Sequence, residues 1–384
     1  VLKAYKYSIY PTATQTTLIE KHFGSTRFLY NYFLDYRQKV YAKGNKKVGY
    51  IITQAELTKL KKLEEYEWLN ECGSQSLQMA LKDLDSAFTK FFKKQGGYPK
   101  FHSKKNTHQS FTAPQNIKVA NNKVYLPKFT KDGIKTKLHR EIPNGAILKQ
   151  ATISRQNNQY FISILMDDAI PIPKPIKAKT AVGLDMGITH QLITSDGVKY
   201  PNEKHYIKSQ KRLLHLQRRL SKKQKGSNNR NKAKLKVQRL HTKVANQRKD
   251  NLHKISNEIT NQYDIICLET LNVKGMIKNH NLAKAIADVA WGEFMRQLEY
   301  KASWRGKTVI KIDQWFPSSP ICSNCGASSG KKSLNIRKFD CPQCHKKDID
   351  RDINAAINIR NYGLGQLDNR NTAGTVEVYA CGVS

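Results

Sequence analysis

The stretch "CSNCGASSGKKSLNIRKFDCPQCHKKDIDRDINAAINIR", Cys322 to Arg360, sets two Cys-x2-Cys pairs just before an acidic–basic–acidic triplet, Asp350-Arg351-Asp352, and a segment with helical spacing. Each pair can form a knuckle, and four thiolates converging on one tetrahedral ion suit Zn²⁺. The fifteen residues between the pairs are the right length for a ribbon hairpin. With no fifth ligand nearby, Cys322, Cys325, Cys341 and Cys344 read as one closed, structural site, ordering a segment too short for a core of its own. Three further cysteines, Cys72, Cys267 and Cys381, are scattered singles, so the set reads as an intracellular metal site with spare thiols rather than a disulfide framework.

The two aspartates differ by helical phase. If a helix runs onward from Asp352, then Asp352, Ala355, Ala356 and Ile359 fall at i, i+3, i+4 and i+7, the small and apolar face that packs on a sheet. Asp350 lies just before that helix and reads as its N-cap. Asp352 is therefore the carboxylate aimed at a site.

Upstream, "AVGLDMGITHQLITSDGVKY" (181–200) contains an apolar strand ending at Asp185, a turn and a second strand, while "YDIICLETL" (263–271) is a buried strand ending at Glu269. "LAKAIADVAWGEFMRQLEYKASWRG" (282–306) follows as a helix and "TVIKIDQWF" (308–316) as a strand. Only 30 acidic residues stand against 67 Lys and Arg, yet two of them end the most apolar strands. Buried carboxylates are costly without partners, and divalent cations are the usual partners where several converge. Two Mg²⁺ (or Mn²⁺) ions held by such a set form the clamp that hydrolyses phosphodiesters. Asp185, Glu269 and Asp352 are the candidates.

The net charge of +37 points to a polyanion. Nucleic acid is favoured over the rival polyanion, a membrane surface, which would want an amphipathic basic helix with a bulky apolar face at an accessible end. Separately, no apolar run reaches the roughly 18 residues of a span. Between Lys208 and Lys249 lie sixteen Lys and Arg and no Asp or Glu, broken near Gly226-Ser227-Asn228-Asn229. Leu213, Leu216 and Leu220 before the break, and Leu240 and Val244 after it, keep a helical stripe. The spacing predicts a basic helical hairpin over 206–260, whose self-repulsion a phosphate backbone would relieve. Lys211, Arg212, Arg218, Arg219, Arg239, Lys243 and Arg248 are its candidate contacts.

In the N-terminal half, residues 1–11 read as a strand. The next hundred predict a helical module: a helix capped by Thr12 or Thr14 and stopped at Gly44, then helices near 51–63 and 74–95. Leu29, Phe33, Tyr36 and Val40 form its core face. Short alternating runs between Asn-Asn, Asp-Gly and Pro-Asn-Gly turns predict an antiparallel sheet or small barrel over 112–168, which the first strand could join. "PIPKPIKAK" (171–179) reads as a linker at the main boundary.

With these residues assembled, the chain resembles the TnpB family, transposon-encoded RNA-guided nucleases related to type V CRISPR effectors. The resemblance covers nearly the full length through "FGSTRFLYNYFL", "GYPKFHSKK…SFT", "VGLDMGI", "ICLETLNVKGM", "WGEFMRQLEYKA", "FPSSPICSNCG", "CPQC" and "DRDINAAINI". Met186 departs from the family's usual aliphatic residue, a volume-conserving change.

The resemblance implies a multidomain α/β chain. It would comprise a first wedge strand (1–11), a helical recognition module (12–111), a wedge β-barrel and linker (112–178) and an RNase H-like RuvC nuclease (179–320 and 346–362). An inserted zinc ribbon (321–345) and a flexible tail (363–384) complete it. The metal triad would map to Asp185, bridging both ions, with Glu269 and Asp352 each on one. The implied partners are a guide RNA and duplex DNA carrying a short transposon-adjacent motif, the implied location is the prokaryotic cytoplasm at the nucleoid, and a monomer is favoured. Gln75, Gln78 and Thr112 are the candidate motif readers, since Gln can pair with adenine edges. The rivals are a nuclease-dead RNA-guided DNA-binding regulator, a transposition accessory protein or strand-joining transposase, and a zinc-ribbon transcription regulator.

Overall fold

The computed structural model describes residues 1–44, 48–106, 108–129, 131–173, 178–330, 332–333 and 335–372. The chain divides into two compact units, Val1–Pro171 and Ile172–Ser384, so the division falls at the start of the Pro-rich stretch. Residues 174–177 of the expected linker lie outside the described residues. Among those described, no helix is long and apolar enough to cross a membrane.

In the first unit, strand β1 (Leu2–Tyr10) runs into helix α1 (Ala13–Ala42) through a capping box. Thr12 Oγ1 accepts the Gln15 N–H at 3.3 Å, and Gln15 Oε1 accepts the Thr12 N–H at 3.1 Å, which settles the cap on Thr12. Helices α2 (Tyr50–Leu60) and α3 (Ser74–Phe92) join the second half of α1 around Leu29, Phe33, Leu34, Leu57, Leu77, Leu81 and Leu84. Tyr36 is only partly buried against this core, while Leu34 and Arg37 are buried, so the expected stripe is displaced in its second half.

Strands β2 (His108–Ala113), β3 (Lys118–Ala120), β4 (Lys123–Tyr125), β5 (Ile134–Lys137), β6 (Ile147–Gln156) and β7 (Gln159–Asp167) complete a sheet ordered β2-β6-β7-β1-β5-β4-β3. Every ladder is antiparallel, and β1 does join, between β7 and β5. Asn157 and Asn158 take φ of 53° and 61° in the two-residue turn between β6 and β7, the left-handed geometry that short polar side chains tolerate best. Two expectations change. Gln109, Phe111 and Ala113 point inward from β2, so the strand begins at His108 and the expected boundary before residue 112 would cut it. Among the described residues no ladder joins β2 to β3, so of the two expected forms, antiparallel sheet or small barrel, the pairing is that of a sheet with two edges.

The second unit is built on a five-stranded sheet ordered β10-β9-β8-β11-β12. Strands β8 (Ala181–Asp185), β11 (Ile265–Glu269) and β12 (Thr308–Ile312) are parallel; β9 (His190–Thr194) and β10 (Lys199–Pro201) are antiparallel additions at one side. Between β10 and β11 come α4 (His205–Ser221) and α5 (Asn228–Gln262), the expected basic hairpin, held by Leu213, Val237 and Leu240. Between β11 and β12 lie α6 (Val273–Met276), α7 (Ala283–Val289) and α8 (Trp291–Trp304). The single helix expected over 282–306 is thus two, because Ala290 takes φ 56° and breaks it.

Strand periodicity sorts the two faces. Val182, Leu184, Ile266 and Leu268 meet Leu252, Ile255 and Ile259 of α5 and Phe294 and Leu298 of α8. The alternate residues face α9 (Arg351–Thr372), whose Ile359 packs with Ile265, Cys267, Ile310 and Ile312. This helix runs past Tyr362, where the sequence reading ended it, because Leu364 and Leu367 also pack on that core. Residues 363–372 are therefore helix rather than tail; residues 373–384, with Cys381, lie outside the described residues.

Candidate metal centres and nucleic-acid surface

Between β12 and α9 the chain makes two similar knuckles. Gly326 N–H donates to Cys322 O at 2.9 Å and Cys322 N–H to Ala327 O at 2.9 Å; His345 N–H donates to Cys341 O at 3.1 Å and Cys341 N–H to Lys346 O at 2.9 Å. A two-stranded ladder, β13 (Lys338–Phe339) with β14 (Ile349–Asp350), closes the hairpin. The four cysteine sulfurs lie within 4.8 Å of one another, with Cys322–Cys344 at 3.8 Å and Cys325–Cys341 at 3.7 Å. Tetrahedral bonds of about 2.3 Å to one ion would set sulfurs about 3.8 Å apart. The cluster could therefore hold a metal ion.

Its thiols are poised unequally. The Lys346 N–H and the Asn324 amide hold the Cys344 thiol down to about 6. The Ala327 N–H also lowers Cys325, but burial and the three facing thiols leave it raised to about 11. Four thiols this close cannot all ionise against one another; a dication resolves that conflict.

The carboxylates come together by register. Cys267 pairs with Gly183 and Leu268 with Leu184 across β8 and β11, and the two paired strands end at Asp185 and Glu269. Both share the odd-numbered face with Gly183 and Cys267, against which α9 packs. Asp352 lies one turn before Ala356, whose backbone carbonyl lies against Gly183, and its charge is near enough to act on the Asp185 carboxyl. Burial pushes the Asp185 carboxyl well above its usual range, and the Glu269 and Asp352 charges push it further. Burial also raises Glu269, against a hydrogen bond from Ser318 Oγ to its Oε1 at 2.7 Å.

The three are not gathered as tightly as the thiols. Among the described residues, only the cysteines bring three or more ligand atoms within 4.8 Å. Arg337, on the ribbon hairpin, instead reaches Asp352 at 3.4 Å. Hard oxygen donors, held half-buried and in mutual repulsion, fit a hard divalent cation such as Mg²⁺ or Mn²⁺.

Asp350 has the separate role expected of it. Its Oδ1 accepts the N–H groups of Asp352 and Ile353, each at 3.1 Å, and its other oxygen pairs with Lys199. The sequence reading did not single out Ser318, Arg337, Asn354 or Asn358; only the doubled Asn in "DINAAIN" hinted at a polar helix face.

On the hairpin, Lys211, Arg212, Arg218, Arg219, Arg239 and Lys243 are exposed. Arg248 differs: its Nη2 pairs at 2.8 Å with Asp288, whose side chain is 3% exposed, so it holds α5 to α7. In the first unit Gln75 and Gln78 are half-exposed on α3, and Thr112 Oγ1 lies 3.0 Å from Thr152 Oγ1 across β2 and β6.

Three family profiles match: OrfB_IS605, described as "Probable transposase", over residues 161–280; the "Cas12f1-like, TNB domain" over 291–359; and "Helix-turn-helix domain" over 1–46. A Streptomyces pristinaespiralis protein named "Putative RNA-guided DNA endonuclease" is 39% identical over 95% of this chain and 90% of its own length. The chain belongs to the TnpB family. A second such protein, InsQ of Escherichia coli K12, is 32% identical over 95% of this chain and 93% of its own length, and the mimivirus "TnpB-like protein L79" is 23% identical over 94% and 74%. The α/β fold resembles that of Cas12f1, solved with sgRNA and target DNA, at a TM-score of 0.52 and 15% identity over 91% of this chain and 81% of that one. Although a helix-turn-helix profile matches the N-terminus, residues 2–10 here form a strand and residues 13–42 one long helix.

Proposed function

We propose that the chain is an RNA-guided DNA endonuclease whose second unit is a RuvC-type nuclease. What supports this reading is that paired strands β8 and β11 end at Asp185 and Glu269, and that the charges of Glu269 and Asp352 both raise the Asp185 carboxyl. Family membership supports guide RNA and target DNA as partners, since full-length relatives carry that activity in their names.

Asp185, Glu269 and Asp352 would hold the divalent ions. Bound there, Mg²⁺ supplies an activated water and charge stabilisation at the leaving oxygen. The chain's own residues do the rest. Ser318 holds one oxygen of Glu269, Asp350 fixes the first turn of α9, and Lys and Arg of the hairpin grip phosphates of the hybrid. Guide pairing would read the sequence, leaving the protein to read backbone shape and one short motif. Gln75, Gln78 and Thr112 remain candidate motif readers in a recognition-and-wedge unit. The four cysteines would hold one structural Zn²⁺, and the protein would act as a monomer in the cytoplasm at the nucleoid.

The test is cleavage of a plasmid matching the guide carried by protein expressed with its native flanking DNA. Cleavage should require Mg²⁺ and vanish in Asp185→Ala, with guide RNA retained. Cutting without RNA, or undiminished cutting by Asp185→Ala, overturns the proposal.

A further inference from the structure

Residues 318–323 lead into the first cysteine knuckle, and two asparagines of α9 clamp them. Asn358 Nδ2 donates to Ser318 O at 2.8 Å and to Ile321 O at 2.7 Å. Asn354 Nδ2 donates to Ile321 O at 2.7 Å, and its Oδ1 accepts the Ser323 N–H at 2.7 Å. Their exposures are 1% for Asn354 and 6% for Asn358. Buried amides are tolerated where partners satisfy them, and here every one of these bonds goes to the backbone of a single segment.

That segment ends at both metal centres. Ile321 and Ser323 flank Cys322, a ligand candidate with no exposed surface. At its other end Ser318, 8% exposed, donates its hydroxyl to Glu269 Oε1 at 2.7 Å. A donor fixed on one carboxylate oxygen sets the rotamer and leaves the second oxygen to face a cation, the arrangement by which outer partners orient ligands. The hydroxyl can hold that line only while its own backbone is held, and Asn358 holds it.

We infer that Ser318 is a positioning residue for Glu269, and that Asn354 and Asn358 couple the folded state of the four-cysteine cluster to it, so that the two metal centres are linked. This rests on the reading of Glu269 as a metal ligand. The ribbon then does more than staple a short segment. An ion in the cysteine cluster keeps residues 321–323 in their knuckle; the asparagines register that knuckle against α9; and the same clamp places the hydroxyl that orients Glu269.

The probe is Mn²⁺ alone, titrated into the full-length protein without DNA and followed by electron paramagnetic resonance, with zinc measured by elemental analysis. Ser318→Ala should weaken Mn²⁺ binding about 10–100-fold, the usual effect of losing an outer partner. Its zinc content and melting temperature should stay near wild type, and Ser318→Thr, which keeps the hydroxyl, should restore affinity. Asn358→Ala, and wild type stripped of the cysteine-bound ion, should each weaken Mn²⁺ binding with Glu269 and Ser318 intact. Wild-type Mn²⁺ affinity in Ser318→Ala, or a parallel loss of zinc in it, overturns the positioning role. Undiminished affinity in the stripped protein overturns the coupling. Glu269→Gln separates the two readings: if it binds Mn²⁺ like wild type, the ligand assignment itself has failed.

Discussion

Gly183 lies so close to Ala356 that a Cβ on it would stand 1.9 Å from the Ala356 carbonyl oxygen and 2.7 Å from the Arg360 nitrogen. Seven residues on from Ala356, Gly363 sits the same way over Cys267, where a Cβ would come 2.4 Å from Sγ. Two glycines, one in the strand and one in the helix, let α9 lie against the sheet without side chains between them.

Gly183→Ala should therefore destabilise the second unit by about 3 kcal/mol, the upper end for overpacking, because a backbone carbonyl cannot swing aside. It should also push the first turn of α9 away and cut DNA cleavage sharply. Gly363→Ala meets only side chains, lies two turns further from Asp352 than Ala356 does, and should cost less of both. Thermal melts and plasmid cleavage measure the pair; equal effects would show that close approach at Gly183 does not locate Asp352.

The two aspartates before α9 should separate cleanly. Asp352→Ala removes a proposed metal ligand and releases Arg337 from its ion pair, so cleavage should fall to background while guide and target binding persist. Asp350→Ala removes a cap on two N–H groups and the Lys199 pair, at about 0.5–2 kcal/mol. It should still cut at moderate temperature. A dead Asp350→Ala beside an active Asp352→Ala reverses the assignment.

The parts of the site legible in sequence were those governed by local periodicity. Strand alternation put Asp185 and Glu269 at the ends of apolar runs, helical phase separated Asp352 from Asp350, and two Cys-x2-Cys pairs announced their own cluster. What was illegible depends on partners distant in sequence. Arg248 looks like its basic neighbours until Asp288, on another helix, takes it up. Ser318 is an ordinary loop serine until the fold carries Glu269 to its hydroxyl. Ala290 breaks a helix whose composition gives no warning, and residues 363–367 read as tail although the sheet's underside needed covering.

Asp185 carries a stability cost whose sign can be worked out. Its carboxyl titrates higher in the folded chain than in the unfolded one, through burial and then the Glu269 and Asp352 charges. Such a group favours folding fully below the unfolded value and loses that contribution as pH rises through the folded value. Metal-free protein should thus melt lower as pH rises through that window, and Asp185→Asn should melt higher than wild type at pH 7. Adding Mg²⁺ should raise the wild-type melting temperature and leave Asp185→Asn nearly unmoved. A variant less stable than wild type without metal contradicts the repulsion argued for the site.

The hairpin offers a comparison within one element. Lys211, Arg212, Arg218 and Arg219 are exposed on α4, so changing them to Gln should leave the melting temperature within a degree or two of wild type. Each lost phosphate contact should reduce the slope of log affinity against log salt by roughly 0.7–0.9. Arg248→Gln should behave in the opposite way. Removing it leaves Asp288 buried with the Tyr206 N–H but without its cation, a loss of about 3 kcal/mol. Its salt slope should stay at the wild-type value, because its guanidinium is already committed inside the protein. Filter binding to guide RNA between 50 and 200 mM salt (roughly the range over which counterion release is read), paired with thermal melts, distinguishes the two classes. A reduced slope in Arg248→Gln with an unchanged melt would return that arginine to the phosphate-binding set.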